Sequence, residues 1–164
     1  MIEDSRWEES DESYRKLCVK VFDEAVKEID CKGIKEFEFS LKLTDDEELQ
    51  ELNASFRGKD KTTNVLSFPS QVLHEGNMND FKNAKELYLG DMAISYDRVE
   101  EEANKYGISF ENHFIHLVLH SILHLFGFDH IDDEDAYKME ELEKKILKRM
   151  NINNPYDLMA LDVK

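Results

Sequence analysis

The chain has 164 residues, 41% of them hydrophobic, which is enough for one compact domain with its own core and too short for two ordinary ones. No stretch approaches the roughly 20 apolar residues that a membrane-spanning helix needs, and the acidic N-terminus does not resemble a signal peptide, so we expect a cytoplasmic protein without membrane contact. The formal net charge of -16 weighs against nucleic acid as a partner, because phosphate binding depends on Lys and Arg.

Hydrophobic periodicity predicts that helices and strands alternate along the first part of the chain. Apolar residues recur at helical spacing from Glu12 to about Ile29, whereas apolar and polar residues alternate from Phe37 to Leu43, as in a strand with one covered face. Thr44 and Glu47 form a capping box, which predicts the start of a second helix that extends to about Phe56.

Two short strands and two capped helices are predicted next. Apolar runs at Val65 to Phe68 and at Leu87 to Ile94 predict the strands, and the polar segment between them predicts a surface loop. Ser95 is placed to cap a helix that ends at Gly107, and Ser109 is placed to cap a long apolar helix.

The last predicted helix runs from Asp133 to Met150, and its acidic residues, Glu143 among them, are interpreted as a solvated face. Pro155 ends the periodic pattern, so the tail from 155 to 164 has no predicted structure. The predicted fold is therefore α+β, a single domain over residues 1–164 in which a small mixed sheet of three to four strands packs against about five helices.

Three histidines in the run HSILHLFGFDH have a spacing that can hold one metal ion. His120 and His124 are four residues apart on the long helix, so they lie on one face, about 6 Å apart along the axis. Gly127 ends the helix in the left-handed conformation, so the chain can turn back and present His130. Three neutral ligands leave a fourth position for water, as in a catalytic zinc site, although imidazoles also accept Ni²⁺, Co²⁺ or Cu²⁺.

Two nearby residues are candidates for contact with a ligand imidazole. His116 lies on the same helix face as His120, where packing or contact with a ligand is favoured over direct binding of the metal. Asp129 precedes His130, and it can either orient that imidazole or accept a proton, or it can be an ordinary turn residue. Both interpretations of Asp129 stay open.

The histidine spacing also fits the elongated zinc-protease pattern H-E-x-x-H-x-x-G-x-x-H. In that pattern the glutamate that acts as general base directly follows the first histidine, whereas this chain has Ser121 there. A serine hydroxyl cannot act as that base near neutral pH. A peptidase is therefore a lesser alternative.

Three blocks of the chain together resemble the YbeY family: FRGKDKTTNVLSFP at Phe56 to Pro69, LGDMAIS at Leu89 to Ser95, and the histidine run from His120 to His130. The resemblance extends over roughly Phe37 to Met150 and includes all three blocks in the expected order. Members of this family are bacterial zinc-dependent endoribonucleases implicated in ribosomal RNA maturation and ribosome quality control.

The resemblance implies one Zn²⁺ per chain, bound by His120, His124 and His130 at the end of a central helix. It also implies that Arg57 and His120 are catalytic. The fixed charge and planar fork of Arg57 suit a phosphate clamp, and Lys59 and Lys61 would guide the RNA backbone without reading its sequence. These residues form a compact basic segment in an otherwise acidic chain.

The function implied is a single-strand-specific endoribonuclease that acts in 16S rRNA 3′ end maturation, with ribosomal RNA and the small ribosomal subunit as partners and with no DNA. Two alternatives remain. One is a non-catalytic ribosome assembly factor with a structural zinc, which the absence of an evident general base and the negative charge favour. The other is a metal-dependent hydrolase of another substrate, such as a metzincin-like peptidase.

Overall fold

The computed structural model of the chain describes residues 6–7, 11–57 and 64–159. The α+β prediction is confirmed, because the described residues form six α-helices and three strands. None of these helices is long and apolar enough to cross a membrane. In chain order the elements are α1 (Asp11–Val26), β1 (Glu36–Thr44), α2 (Asp46–Arg57), β2 (Val65–Pro69), β3 (Glu86–Ser95), α3 (Tyr96–Tyr106), α4 (Phe110–Leu125), α5 (Asp133–Arg149) and α6 (Pro155–Met159).

The strands form one mixed sheet in the order β1-β3-β2. β3 is central, because it pairs in parallel with β1 and antiparallel with β2. On one face of the sheet, Leu89 and Ile94 of β3 belong to the main core. On the other face, Ala93 packs with Leu66 of β2 and Leu49 of α2 in a smaller apolar cluster. The second face is therefore covered beside β2, whereas Glu38 and Ser40 of β1 stay exposed.

α4 runs through the centre of the protein and is buried along most of its length. It is apolar on nearly every side because α1, α3, α5 and β2 all pack against it. Ser109 caps its N-terminus as predicted, since the serine hydroxyl accepts the backbone N–H of Asn112 at 3.0 Å. The helix therefore fixes His120 and His124 close to its C-terminal end.

Three local predictions differ from the structure. The N-cap of α2 is Asp45 rather than Thr44, because the Asp45 carboxylate accepts the backbone N–H of Glu48 at 2.9 Å. The first helix ends earlier than its periodicity predicts, at Val26. The beginning of the tail forms α6, in which Pro155 occupies the first helical position, where a missing N–H leaves no bond unmade.

Candidate metal centre

The structure brings the three imidazoles of the histidine run together. His120 and His124 lie at the end of α4, and His130 lies in the loop before α5. One ring nitrogen from each lies within 4.8 Å of the others, and the Nε2 atoms of His120 and His124 are 3.1 Å apart. His120 and His124 are half-buried and His130 is exposed, so the cluster is open to solvent on one side. The three side chains could hold one metal ion.

The turn between His124 and His130 requires glycine. The N–H groups of Gly127 and Phe128 donate to carbonyls in the last turn of α4 at 2.9 and 3.0 Å, the two bonds of a Schellman motif. Gly127 has the predicted left-handed conformation, with φ of +92°, and a Cβ at this position would lie 2.2 Å from the carbonyl oxygen of Leu73. The loop after β2 thus passes so close to the turn that no side chain fits between them.

A buried carboxylate fixes the orientation of His120. Oε1 of Glu143, on α5, lies 2.5 Å from Nδ1 of His120, and Glu143 is fully buried. Burial alone would raise the pKa of Glu143, but its interactions with the imidazoles of His116 and His120 outweigh burial and lower this pKa to about 2. Because an ionised carboxylate can only accept, Nδ1 of His120 donates the hydrogen bond, and in the neutral ring Nε2 carries the lone pair.

A backbone carbonyl fixes His124 in the same way. Nδ1 of His124 lies 3.0 Å from the carbonyl oxygen of Phe128, which can only accept a hydrogen bond. The proton of the neutral ring is therefore on Nδ1, and Nε2 carries the lone pair. Burial, followed by the charges of His120 and His130, lowers the pKa of His124 to about 4, so this imidazole is neutral at pH 7.

Two Nε2 lone pairs, one from His120 and one from His124, face each other at 3.1 Å. They repel unless a cation lies between them. In a tetrahedral site with Zn–N distances of about 2.0–2.1 Å, two imidazole nitrogens are about 3.3 Å apart, close to the separation in this protein. Three neutral imidazoles suit Zn²⁺ and other borderline divalent metals. The residues present therefore fit a metal ion at this position.

The interpretation of Glu143 as part of a solvated face is wrong. Glu143 lies one helical turn after Met139 and one turn before Leu147, within the buried side of α5. Its position in this apolar stripe is the sequence signal that could have identified it, because a glutamate inside a protein needs a charged or hydrogen-bonding partner. The partner is His120 on the neighbouring helix.

The two candidates for contact with a ligand imidazole lie beside the cluster in different ways. His116 is buried; its ring packs edge-on against the ring of His120, with 6.4 Å between the centroids, and its Nε2 lies 3.6 Å from Oε2 of Glu143. Asp129 is exposed, and its carboxylate accepts the backbone N–H of His130 at 2.7 Å. This contact is that of a turn residue, and it fixes the backbone from which the third imidazole projects.

The three histidines line a cleft of about 690 Å³, within the size range of sites that enclose small ligands. Neutral polar side chains contribute much of its remaining lining: Asn53, Asn64, Ser67 and Gln71. Apart from the histidines, Asp129 is the one ionisable residue among the described residues that line the cleft. The described residues that line the cleft include no Lys or Arg.

Ser121, at the position of the metalloprotease glutamate, is engaged with the sheet. It is fully buried, and its hydroxyl oxygen lies 2.5 Å from that of Ser67 in β2. This hydrogen bond joins α4 to β2, so the hydroxyl has a structural partner. A serine with this role supplies no base for peptide hydrolysis.

Arg57 is the last residue of α2, and its side chain lies outside the described residues together with all of Lys59 and Lys61. The residues on either side of this segment, Asn53 and Asn64, both line the cleft. Asn53 precedes Arg57 by four residues, about one helical turn, so the two positions share a face of α2. Described residues of the cleft therefore lie on both sides of the basic segment in the sequence.

Comparison with known proteins agrees with the three sequence blocks. The family model of the endoribonuclease YbeY matches residues 1–151. The chain is 48% identical over 119 residues to the endoribonuclease YbeY of Agrobacterium fabrum, a match that covers 73% of this chain and 67% of that protein. It is 40% identical over 160 residues to the endoribonuclease YbeY of Paracoccus denitrificans, which covers 95% and 87% of the two chains.

A solved structure shares the fold. The solution structure of TM1509 from Thermotoga maritima matches this chain with a TM-score of 0.53 and 30% sequence identity, over 82% of this chain and 81% of that one. The family model extends over nearly the whole chain, and the resemblance seen in the sequence blocks is thereby confirmed. This chain belongs to the YbeY family of endoribonucleases.

Proposed function

We propose that the protein is a zinc-dependent endoribonuclease that cuts single-stranded RNA and acts in the cytoplasm in 16S rRNA 3′ end maturation and ribosome quality control. The observation that carries the proposal is the pair of Nε2 lone pairs of His120 and His124, which face each other at 3.1 Å beside His130. Family membership supports RNA as the substrate. The resemblance described above supports ribosomal RNA and the small ribosomal subunit as partners.

Zinc bound by the three imidazoles would supply a Lewis acid for a phosphodiester oxygen and for water. Three protein ligands in an open cleft leave a position for substrate, whereas a structural zinc has four ligands and is closed. This difference favours an enzyme over an assembly factor with a structural zinc.

The chain itself binds and orients the RNA in this proposal. The amide oxygens of Asn64 and Gln71 line the cleft and can accept hydrogen bonds from the exposed edges of unpaired bases, which a double helix does not offer, while the amide nitrogen of Asn64 donates to Glu102 at 3.1 Å. Arg57 clamps a phosphate with its bidentate guanidinium and stabilises the negative charge that grows on it during cleavage. Lys59 and Lys61 hold the backbone nonspecifically, so the strength of RNA binding should decrease as salt increases.

The experiment that tests the proposal uses nuclease-free protein with an RNA that has both a stem and an unpaired 3′ extension, and with an unstructured peptide. The wild type should cleave the unpaired part of the RNA. A chelator should abolish this cleavage and added Zn²⁺ should restore it, whereas the His124→Ala variant, prepared in parallel, should not cleave. Binding to small ribosomal subunits without cleavage would support the assembly factor instead. Chelator-sensitive hydrolysis of the peptide alone would support a peptidase.

A further inference from the structure

The carboxylate that fixes His120 is itself held from the C-terminal end of the chain. The hydroxyl group of Tyr156, in α6, donates a hydrogen bond to Oε2 of Glu143, while Oε1 accepts from Nδ1 of His120. The Tyr156 ring also packs edge-on against His116, with 5.4 Å between the ring centroids and 82° between the ring planes. Glu143 and the three side chains around it, which come from three helices in all, thus form one connected group.

Local contacts hold Tyr156 in place. The side-chain oxygen of Asn154 accepts the backbone N–H of Tyr156 at 3.0 Å, and its amide nitrogen donates to the Asp157 carboxylate at 3.0 Å. Pro155 between them is buried. The start of α6 is therefore fixed to the body of the protein rather than extended into solvent.

The hydrogen bonds from His120 and Tyr156 to Glu143 engage different oxygens of its carboxylate. With both oxygens engaged, the carboxylate plane cannot turn, and Oε1 stays in line with Nδ1 of His120. Without the Tyr156 hydroxyl, Oε2 would keep only the contact with His116 at 3.6 Å, which is too long for a hydrogen bond. One oxygen of a fully buried carboxylate would then lack a hydrogen bond. Burial raises the pKa of Tyr156, which agrees with a phenol that stays protonated and donates.

We propose that Tyr156 is a positioning residue of the metal centre: through Glu143 it sets the orientation and the tautomer of the imidazole of His120. The proposal rests on the assignment of His120 as a metal ligand under the proposed function. It extends that site to α6, a segment for which the sequence predicted no structure. Groups that orient ligand imidazoles typically change metal affinity about 10- to 100-fold when they are removed.

The test compares Zn²⁺ dissociation constants, measured by competition with a chromophoric chelator, for the wild type and three variants of the full chain. We expect Glu143→Gln to weaken Zn²⁺ binding about 10- to 100-fold and Tyr156→Phe about 10-fold. Tyr137→Phe is the matched control, because this tyrosine lies on α5 and is 64% exposed. Its dissociation constant should equal that of the wild type, and circular dichroism should show that all variants fold.

A second readout does not depend on metal or on activity. In long-range ¹H–¹⁵N spectra of the metal-free wild type, His120 should be in the Nδ1–H tautomer, and the Tyr156 hydroxyl proton should exchange slowly and lie close to Glu143. Tyr156→Phe should give a mixture of His120 tautomers, whereas Tyr137→Phe should not. These wild-type spectra decide the matter even if the Tyr156 variant does not fold.

The outcomes separate this inference from the proposed function. An unchanged Zn²⁺ dissociation constant and an unchanged His120 tautomer in Tyr156→Phe would overturn the positioning role, as would a wild-type His120 in the Nε2–H tautomer. Wild-type protein that binds zinc but cleaves no RNA would overturn the nuclease proposal, while a weakened Tyr156→Phe site would still support the positioning role.

Discussion

Replacing Gly127 by alanine tests how the turn after α4 presents His130. At φ of +92° an L-residue is strained by about 1–2 kcal/mol relative to glycine. The new Cβ would also lie 2.2 Å from the carbonyl oxygen of Leu73, so the loop must move away. That movement would break two hydrogen bonds between the loop and the turn after α4: Glu75 N–H donates to the carbonyl of Gly127 at 3.2 Å, and Gly76 N–H donates to that of Phe126 at 2.9 Å. Each contributes about 0.5–1.5 kcal/mol, which gives a total loss of about 2–5 kcal/mol.

Gly107→Ala is the matched control for this prediction. Gly107 follows α3 with φ of +66°, and an added Cβ there would meet no atom within 4 Å, so only the backbone strain remains, about 1 kcal/mol. Urea unfolding measures both free energies, and chelator competition measures the affinity for Zn²⁺. Gly127→Ala should be the less stable variant and should bind zinc more weakly, because His130 follows the displaced turn. Equal stability of the two variants, with unchanged zinc affinity, would refute the reasoning.

Further predictions concern the basic segment, the hydrogen bond between Glu102 and His113, and the hydrogen bond between Ser121 and Ser67. Arg57→Ala should retain one zinc per chain and lose RNA cleavage, which metal analysis beside a cleavage assay checks; normal cleavage would contradict the phosphate clamp. Burial alone would raise the pKa of Glu102, but hydrogen bonds, first of all the one with His113, outweigh burial and lower this pKa. The ionised carboxylate therefore stabilises the folded protein above the ordinary pKa of 4.5, and this stabilisation disappears as the pH falls below that value. The melting temperature of Glu102→Gln should therefore depend less on pH in this acid range than that of the wild type. Ser121→Ala should lose about 1 kcal/mol in urea unfolding, since Ser67 keeps an unmade hydrogen bond; no loss would mean that the contact is not stabilising.

The parts of the site that the sequence predicted are local. His120 and His124 are four apart on a helix, and Gly127 ends that helix, so a few consecutive residues determine where their imidazoles point. The approach of Leu73 to Gly127 is not local, and only the tertiary structure shows why alanine would not fit. The spacing thus predicted the turn but not its second constraint.

The partners of Glu143 and Tyr156 could not be identified from periodicity, because they come from other helices. An acidic run normally lies in solvent, and one carboxylate within it was buried by the way α5 packs on α4. The short helix α6 was missed because a single turn has no hydrophobic period, although Asn154 followed by Pro155 has the composition of a helix start. The cap of α2 was misplaced by one residue, since Thr44 and Asp45 are both good capping types.

The most direct test of the account is metal reconstitution followed on a single-stranded RNA. Protein stripped of metal should not cleave, one equivalent of Zn²⁺ per chain should restore cleavage, and His124→Ala should gain neither zinc nor activity under the same conditions. Full cleavage by the metal-free wild type, or by zinc-free His124→Ala, would contradict the claim that the three imidazoles hold the ion that this nuclease uses.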